Sequence, residues 1–593
     1  MPGTSLLHGE IPPGLNDTFG NLQFDDRYET EMLFELDGTV IAGTTYPAYP
    51  VKTYEFDNLF VVVEGALYDT EAPRTAIESL ADALRERHHE RVAQWVRARD
   101  GDFLITVADE HCGDVYILND TFARLPTYYT TLGDLTVVSR ELKLIRTLAQ
   151  NMGVPVGLDR LGAAQQLLFG YCLGQRTVYN GISCIPPGGL VTLGEDGFNV
   201  KQVFQYDFGP TAHAGRDVET NARELASLFR TACERRHAPA RTNVVSLSGG
   251  LDSRAVAGAL SASDLDYATA TFDNSQSGTS SDARVAKTVA EALDAPWTRY
   301  QTAATERHRT ALFDSKQGMN YFGMAFIVDF FEQIRAHHGE CRYITGDGGD
   351  KTLVDLTPPK PLSDKDALVK YIIAANSRFS LERAAAITTV SEAKLRESVA
   401  DRIETYPERS LADLYAHFLV YERGFNFLNQ GEDRNRYYFW SVSPFYSPAV
   451  FEYAINCPAS QKHDRRLYRA FLEAFAPGLV DIEYPNFGGT ITSLEYRVKE
   501  RTFDVLSRYP ALRGSLLDQR KVDPERNVEV LTLVNGHLAD GPVTPLSRRA
   551  ILDVTTNPGA FRRTELLYLL TMLAVQADIR ARLDTEEIAP TLG

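Results

Sequence analysis

The chain has 593 residues, with 61 Lys and Arg against 79 Asp and Glu, which gives a formal net charge of −18. With 44% hydrophobic and 24% charged residues, the composition is that of a globular protein and excludes a disordered or fibrous chain. The length predicts more than one domain. Because nucleic-acid phosphates bind basic surfaces, the acidic balance argues against a nucleic-acid partner.

The sequence shows no segment that would cross or enter a membrane. The longest apolar run, 566–575, is shorter than the roughly 20 residues that a membrane-spanning helix needs. Residues 1–23 lack the basic and apolar segments of a signal peptide. The six cysteines have no CxxC spacing, which is typical of reduced thiols in the cytosol. We therefore expect a cytoplasmic protein without a membrane partner.

The first part of the chain reads as β-rich with short helices. Strands are predicted at 59–63, 103–107, 115–118 and 135–138, and helices at 76–93 and 161–168. A stretch with Gly, Pro and His, 209–215, then indicates a linker. We expect a first domain over residues 1–208.

After the linker, helices and strands alternate. Helices are predicted at 217–236, 254–261 and 282–293, and strands at 243–247 and 267–272. This alternation indicates βαβ units and a doubly wound parallel sheet. Beyond residue 365 the pattern is mainly helical. We therefore expect a second, α/β domain over residues 217–593 with a helical carboxy-terminal extension.

One glycine-rich loop carries the strongest chemical information. Ser248-Gly-Gly-Leu-Asp-Ser253 follows an apolar strand and opens a helix, so its N–H groups and the helix N-terminus can hold a phosphate. The pattern GxxxxGK[ST] is absent, so this is not a kinase- or GTPase-type loop. Asp252 would repel a phosphate unless Mg²⁺ lay between them. The alternative is a plain strand-to-helix turn capped by Asp or Ser.

A second loop, Gly346-Asp-Gly-Gly-Asp350, follows the predicted strand Cys341–Thr345. Two carboxylates in a glycine-rich turn suit metal binding, and Asp350 could share Mg²⁺ with Asp252. An acidic, glycine-rich turn on its own is usually only a turn.

Both loops resemble those of a known family. Ser248–Ser253 resembles the pyrophosphate-binding loop of the N-type ATP pyrophosphatases. Residues 346–350 are similar to the Ser-Gly-Glu-Gly-Ser/Ala-Asp loop of asparagine synthetases, with Asp347 at the Glu position. Short segments such as Val63-Glu-Gly-Ala-Leu-Tyr68 and Tyr179-Asn-Gly-Ile182 resemble the glutaminase-like, class II amidotransferase domain of that family. The resemblance implies an Ntn-hydrolase-like αββα sandwich followed by an adenine nucleotide α-hydrolase-like sheet.

The resemblance also implies a chemistry. ATP and Mg²⁺ would be the cofactors, and a carboxylate would be activated as an adenylate with release of pyrophosphate. The implied ATP-binding residues are Leu247, Ser248, Gly249, Gly250, Asp252, Ser253, Thr271, Thr345 and Gly346. Asp252 and Asp350 would bind the metal ion, and Asp347 would act as the general base or orient the amine.

The amino terminus departs from the glutamine-hydrolysing members. These begin, after removal of Met, with a catalytic Cys. Here Pro2 follows Met1, the first cysteine is Cys112, and Thr4 or Ser5 could serve only after a specific cleavage. We therefore expect no glutaminase activity, as in the branch that resembles β-lactam synthetases and lasso-peptide cyclases.

The carboxy-terminal half departs as well. Where the family has Glu-x-Arg-x-Pro-Phe, this chain has Trp440-Ser-Val-Ser-Pro-Phe445, without either charged residue. The segment Glu483–Phe487 has no counterpart of the family's Arg-x-Lys lysine, for which Lys462 and Lys499 are substitutes to consider. Five arginines could bind phosphate or a substrate carboxylate, or form a solvated basic face: Arg434, Arg436, Arg465, Arg466 and Arg469.

Three functions stay open at this point. The first is amidation of aspartate or a related carboxylate by ammonia, which a carboxylate at Asp347 favours. The second is condensation with a substrate amine to a lactam or macrolactam, which the missing cysteine favours. The third is a silent nucleotide-binding scaffold, against which Asp252 and Asp350 argue. The partners would be a small-molecule or peptide carboxylate and an amine or ammonia, and a homodimer is compatible with the sequence.

Overall fold

The computed structural model describes residues 2–36, 38–195, 197–274, 280–485, 488–507 and 524–588. Within these ranges no helix has the length and apolar character that crossing a membrane would require.

The amino-terminal part forms two six-stranded antiparallel sheets. The first sheet has the order β10-β8-β9-β1-β3-β2 and the second β12-β11-β7-β6-β5-β4. The strands of the first are β1 Gly3–His8, β2 Glu29–Leu36, β3 Thr39–Thr45, β8 Tyr128–Leu132, β9 Leu135–Ser139 and β10 Ser183–Cys184. Those of the second are β4 Val51–Phe56, β5 Leu59–Leu67, β6 Gly101–Asp109, β7 Val115–Asn119, β11 Gly189–Leu193 and β12 Asn199–Gln202. All four strands predicted in this region are confirmed.

The two sheets face each other between helical layers. Leu6 and Val138 of the first sheet share one buried cluster with Val62 and Leu104 of the second. Helices α2 (Pro73–Arg85) and α3 (His89–Ala98) pack on the outer face of the second sheet. Helices α1 (Leu15–Gly20), α4 (Leu142–Asn151) and α5 (Arg160–Phe169) pack on the outer face of the first. The expected αββα layering is therefore present.

The predicted single helix over 76–93 is wrong, because the structure contains two helices there. The chain turns at Arg87, whose φ of 54° is left-handed. The N–H of Arg87 donates to the carbonyl of Leu84, and that of His88 to the carbonyl of Ala83, each at 2.9 Å. These bonds close the first helix with a Schellman motif, while the apolar spacing continues into the next.

A third sheet, entirely parallel, follows in the chain. Its order is β15-β14-β13-β16-β17. The strands are β13 Asn243–Ser246, β14 Ala268–Asp273, β15 Trp297–Gln301, β16 Arg342–Ile344 and β17 Ser441–Val442. Successive strands run outward from β13 to β15, and β16 then lies on the other side of β13. The carboxyl ends of β13 and β16 therefore form a topological switch point, where ligands bind in open α/β sheets.

Helices surround this sheet and form the carboxy-terminal extension. In the described residues they are α6 Val218–Arg236, α7 Leu251–Ala262, α8 Ser280–Ala292, α9 Glu306–Lys316, α10 Phe326–His338, α11 Gly349–Thr352, α12 Lys365–Asn376, α13 Leu381–Thr388, α14 Glu392–Glu404, α15 Leu411–Phe418, α16 Asn429–Asn435, α17 Pro448–Ile455, α18 Ala459–Lys462, α19 Arg466–Glu473, α20 Leu494–Ser507, α21 Pro524–Ala539, α22 Arg548–Thr555 and α23 Arg563–Ile588. A π-helical stretch, Leu419–Leu428, leads into α16. The antiparallel sheets lie within 1–208 and the parallel sheet within 217–593, and this division into domains stays a prediction.

Buried ion pairs join the two parts. Arg140, directly after β9, pairs with Glu64 of β5 at 3.0 Å and with Asp433 of α16. Asp433 also pairs with Lys316 at the end of α9. All four side chains are at most 1% exposed. Charges removed from water this completely depend on one another for compensation.

We expect Arg140→Met to lower the free energy of unfolding by about 3–5 kcal/mol, because it leaves Glu64 and Asp433 as under-compensated buried charges. The matched control is Arg85→Met, which removes an exposed pair with Asp82 and should cost under about 1 kcal/mol. Urea unfolding followed by circular dichroism measures both. Equal shifts of the two midpoints would contradict a structural role for the buried pair.

Candidate active site

The two glycine-rich loops meet at the switch point. Ser248–Ser253 follows β13 and Gly346–Asp350 follows β16, its neighbour in the sheet. Both border one cavity of about 570 Å³. The predicted residues that line it are Ser248, Gly250, Asp252, Ser253, Thr345, Gly346, Asp347 and Asp350.

Glycine permits the loops to touch. A Cβ on Gly346 would lie 2.5 Å from the backbone nitrogen of Ser253 and 2.6 Å from the carbonyl carbon of Asp252. A Cβ on Gly349 would lie 2.6 Å from Cγ of Asp252. A larger residue at either position would separate the loops, so both glycines are explained by the close contact between them.

The first loop has N–H groups that attract anions. The Gly249 N–H donates to the Asp282 carboxylate at 3.0 Å, and the Gly250 N–H donates to the Ser248 hydroxyl at 3.1 Å. The Ser248 N–H donates to the Ser253 hydroxyl at 3.0 Å. The Asp282 carboxylate therefore accepts a bond where the sequence predicts a bound phosphate, at the start of α7.

Two acidic side chains lie together at the contact between the loops. The Asp350 N–H donates to Oδ2 of Asp252 at 3.1 Å, and the Tyr468 hydroxyl donates to Oδ1 at 2.7 Å. Burial and the negative charge of Asp350 raise the pKa of Asp252 to about 7. Asp350 in turn pairs with Lys351, although about half of its side chain is exposed. Two carboxylates grouped in this way offer oxygen ligands that suit a divalent cation such as Mg²⁺.

Asp347 lies beside a second carboxylate. Burial and the negative charge of Glu432 raise the pKa of Asp347 to about 7, with Arg124 opposing the shift. Glu432 is fully buried, accepts a bond from the Thr345 hydroxyl at 3.1 Å, and lies 3.4 Å from the guanidinium of Arg124. A carboxylate with a pKa near 7 is suited to accept a proton at neutral pH.

Three predicted ATP-binding residues do not line the cavity. Leu247 and Thr271 are 2% and 3% exposed, and the Thr271 hydroxyl donates to the Leu247 carbonyl at 2.7 Å. Trp297 Nε1 donates to that hydroxyl at 2.9 Å. Gly249 lies within the loop, where a Cβ would meet Pro485 at 2.6 Å. Their predicted role in ATP binding stays a prediction.

The five arginines separate into three groups. Arg434 and Arg465 line the cavity. Arg436 is fully buried and pairs with Asp102 of β6 at 2.9 Å, so it joins the two halves of the chain. Arg466 is exposed and Arg469 pairs with Glu473 of its own helix.

The substitute lysines are not among the cavity residues. Lys499 pairs with Glu495 on α20, and burial lowers the pKa of Lys462 to about 8. Asn486 and Phe487 of the segment 483–487 lie outside the described residues. The sequence analysis did not predict that Lys351, which directly follows Asp350, forms an ion pair with it.

The amino-terminal hydroxyls are occupied in a polar network. Thr4 donates to Glu64 through its N–H and its hydroxyl, each at 2.8 Å. Tyr49 donates to the same carboxylate at 2.5 Å. The hydroxyls of Ser5 and Ser139 are hydrogen-bonded at 2.8 Å. Thr4 and Ser5 are both 4% exposed, so their hydroxyls serve structural contacts in this chain, and the absence of glutaminase activity stays a prediction.

Comparison with known families bears on the second half of the chain. Residues 224–414 match the family model described as asparagine synthase. This match supports an asparagine synthetase-like family, whose members in general bind ATP and form amides. It includes both glycine-rich loops and does not extend to the antiparallel sheets.

Other comparisons add little. No curated protein matches the chain significantly. One similar solved structure, described as the allosteric regulatory enzyme of purine biosynthesis, is 12% identical, and the match covers 50% of this chain and 80% of that one with a TM-score of 0.24. Another, glutamine phosphoribosylpyrophosphate amidotransferase from B. subtilis complexed with ADP and GMP, is 11% identical, with 69% and 94% covered and a TM-score of 0.24. TM-scores of 0.24 do not establish a shared overall fold.

We expect Gly346→Ala to weaken the binding of Mg·ATP at least tenfold, because the added methyl group would push Ser253 and Asp252 out of place. Gly215→Ala is the matched control, since a Cβ there meets nothing within 4 Å. Isothermal titration calorimetry measures both affinities. An unchanged affinity in Gly346→Ala would show that contact between the loops is not needed for binding.

A second expectation concerns pH and stability in metal-free buffer. Because the pKa of Asp252 is raised to about 7, the folded wild type binds more protons than the unfolded chain between about pH 4 and 7. The wild type therefore loses stability as pH rises through that window. Asn carries no charge, so Asp252→Asn should raise the urea midpoint relative to wild type more at pH 8 than at pH 5. Asp401→Asn, at an exposed site, should show no such difference. A pH-independent effect of Asp252→Asn would disprove the linkage.

Proposed function

We propose that this protein is an ATP-dependent, AMP-forming ligase that activates a carboxylate as an adenylate and transfers the acyl group to ammonia or an amine. One observation carries the proposal: the two glycine-rich loops touch at the switch point, and they bring Asp252, Asp350 and Asp347 to one cavity. The family match to residues 224–414 supports the broader class of ATP-dependent amide ligases.

In the first step the substrate carboxylate attacks the α-phosphorus of ATP. A new P–O bond forms, the bond to the β-phosphate breaks, and pyrophosphate leaves with the electron pair. The N-terminus of α7 would hold the phosphates, together with the Gly249 N–H once it is released from Asp282, while Thr345 and Gly346 border them. Mg²⁺ bound by Asp252 and Asp350 would supply the positive charge that offsets the leaving pyrophosphate.

In the second step the amine nitrogen attacks the acyl carbon. The C–N bond forms, the bond to AMP breaks, and the products are an amide, AMP and one proton. Asp347 would take that proton, because burial and Glu432 hold its pKa near the pH of the reaction. Arg124, which lies 3.4 Å from Glu432, limits the negative charge in this corner.

The acceptor is expected to arrive as an amine rather than from glutamine. Thr4 and Ser5 are buried and hydrogen-bonded, so the amino-terminal domain offers no free hydroxyl at the start of β1. This favours a substrate amine, and an intramolecular, lactam- or macrolactam-forming reaction is the second candidate. A silent scaffold is disfavoured, because both carboxylates of the predicted metal site, Asp252 and Asp350, line the cavity.

The proposal is tested by ATP–pyrophosphate exchange with Mg²⁺ and a panel of carboxylates that includes aspartate. Exchange that depends on one acid and falls at least 100-fold in Asp252→Asn would support adenylation. A failure of the wild type to bind Mg·ATP at all would refute the proposal.

Asp347 allows the two steps to be separated. Asp347→Asn should keep acid-dependent exchange within about threefold of wild type, because Asp347 acts after adenylation. Amide formation should fall by about 10²–10⁴-fold, the usual contribution of a general base. Asp401→Asn, an exposed carboxylate, should change neither rate. Equal losses in exchange and amide formation would contradict a role confined to the second step.

A further inference from the structure

The cavity has a side that the two glycine-rich loops do not form. Its apolar lining comes from the segment before α10, from α10 itself and from the π-helical stretch: Met324, Ile327, Phe331, Phe427 and Leu428. Three polar residues also line this side, namely Asn320, Arg434 and Asn435. An apolar recess with a few convergent polar groups is the usual form of a small-molecule site.

Arg434 is the unusual member of this group. Arg434 is only 6% exposed, and its guanidinium is 5.9 Å from the ring centre of Phe331. Its NH1 donates to Oδ1 of Asn320 at 3.1 Å and its NH2 donates to Oδ1 of Asn435 at 2.9 Å. Its Nε is buried without any hydrogen-bond partner.

A buried guanidinium held by two neutral amides is incompletely compensated. A cation removed from water normally has an anion in direct contact, as Arg140 and Arg436 do. Among the described residues Arg434 has no carboxylate within ion-pair distance, and Asp347 and Glu432 act on it only from further away. Burial accordingly lowers the pKa of Arg434 to about 10. The remaining N–H groups of NH1 and NH2 on this planar guanidinium suit a carboxylate brought by a ligand.

We infer that Arg434, Asn320 and Asn435 recognise the acyl donor, and that the donor carries an apolar or aromatic body and a second carboxylate in addition to the one that is activated. This inference rests on the proposed function. The carboxylate paired with Arg434 is not the reacting one, because a charge-assisted bond would reduce its nucleophilicity toward ATP. The body of the donor would lie against Phe331 and Ile327.

Three matched acids test the substrate class in ATP–pyrophosphate exchange. Benzylsuccinate has both features, 4-phenylbutanoate lacks the second carboxylate, and succinate lacks the apolar body. We expect kcat/KM for benzylsuccinate to exceed that of either other acid at least tenfold. If succinate or 4-phenylbutanoate supports exchange equally well, or if benzylsuccinate supports none, the inference is wrong.

Two variants test the assignment to Arg434. Arg434→Met removes the cation. Asn320→Asp keeps Arg434 in place and supplies a carboxylate next to its NH1, and this carboxylate would compete with that of the ligand. Both should lower kcat/KM for benzylsuccinate about 30-fold, the loss expected for a charged hydrogen-bond pair. Exchange with 4-phenylbutanoate and the KM for ATP should stay within threefold. Arg396→Met, an exposed arginine on α14, is the control.

The outcomes separate this inference from the proposed function. A selective rise in the KM for ATP in Asn320→Asp would assign Arg434 to the nucleotide instead and overturn the inference. Equal losses with both phenyl acids would do the same, since they indicate a structural role. Absent Mg·ATP binding in the wild type would refute the proposed function itself, whereas binding and exchange with an unrelated acid would refute only the inference.

Discussion

Asp433 is the charge on which the arrangement of this molecule depends. It is fully buried on α16 and pairs with Arg140 from the antiparallel half and with Lys316 from α9. The neighbouring Glu432 is equally buried and lies 3.4 Å from Arg124, also in the antiparallel half. Because acidic groups at such depth require counter-charges, α16 can hold its position only while the amino-terminal half is folded against it. The antiparallel half therefore has a structural role in positioning α16.

The same helix also supplies residues that lie beside the cavity or line it. Glu432 accepts a hydrogen bond from the Thr345 hydroxyl and raises the pKa of Asp347. Arg434, two residues later, lines the apolar side of the cavity. Consecutive residues of α16 therefore point to the domain contact and to the site. A change in the contact between the halves is therefore expected to reach the site through this short helix, within one or two residues.

The sequence predicted the four strands of the amino-terminal part, because apolar runs bounded by turn residues are a local signal. The sequence suggested that Asp252 and Asp350 could share one Mg²⁺, and the structure brings their loops together because β13 and β16 are neighbouring parallel strands that end at the same edge. The helix break at Arg87 was missed because apolar spacing continues across a Schellman turn. Glu432 and Arg434 were not assigned to their places beside Asp347 and in the recess, because no spacing rule tells which charged residues of a helix find buried partners. Glu432 depends on Arg124, about three hundred positions away, and Arg434 depends on Asn320, 114 positions away.

The missing Glu-x-Arg pattern then has a structural explanation. Trp440, at the position of the glutamate, is 3% exposed, donates to the Tyr68 hydroxyl at 3.1 Å and has the guanidinium of Arg436 4.6 Å from its ring centre. Val442, at the position of the arginine, pairs with Ile344 in the sheet and is fully buried. A charged side chain at 440 would be buried against the amino-terminal half, and one at 442 would be buried within the parallel sheet. Among the charged side chains that line the cavity, Arg434 comes from α16, so in this chain that helix presents a cation to the cavity and β17 does not.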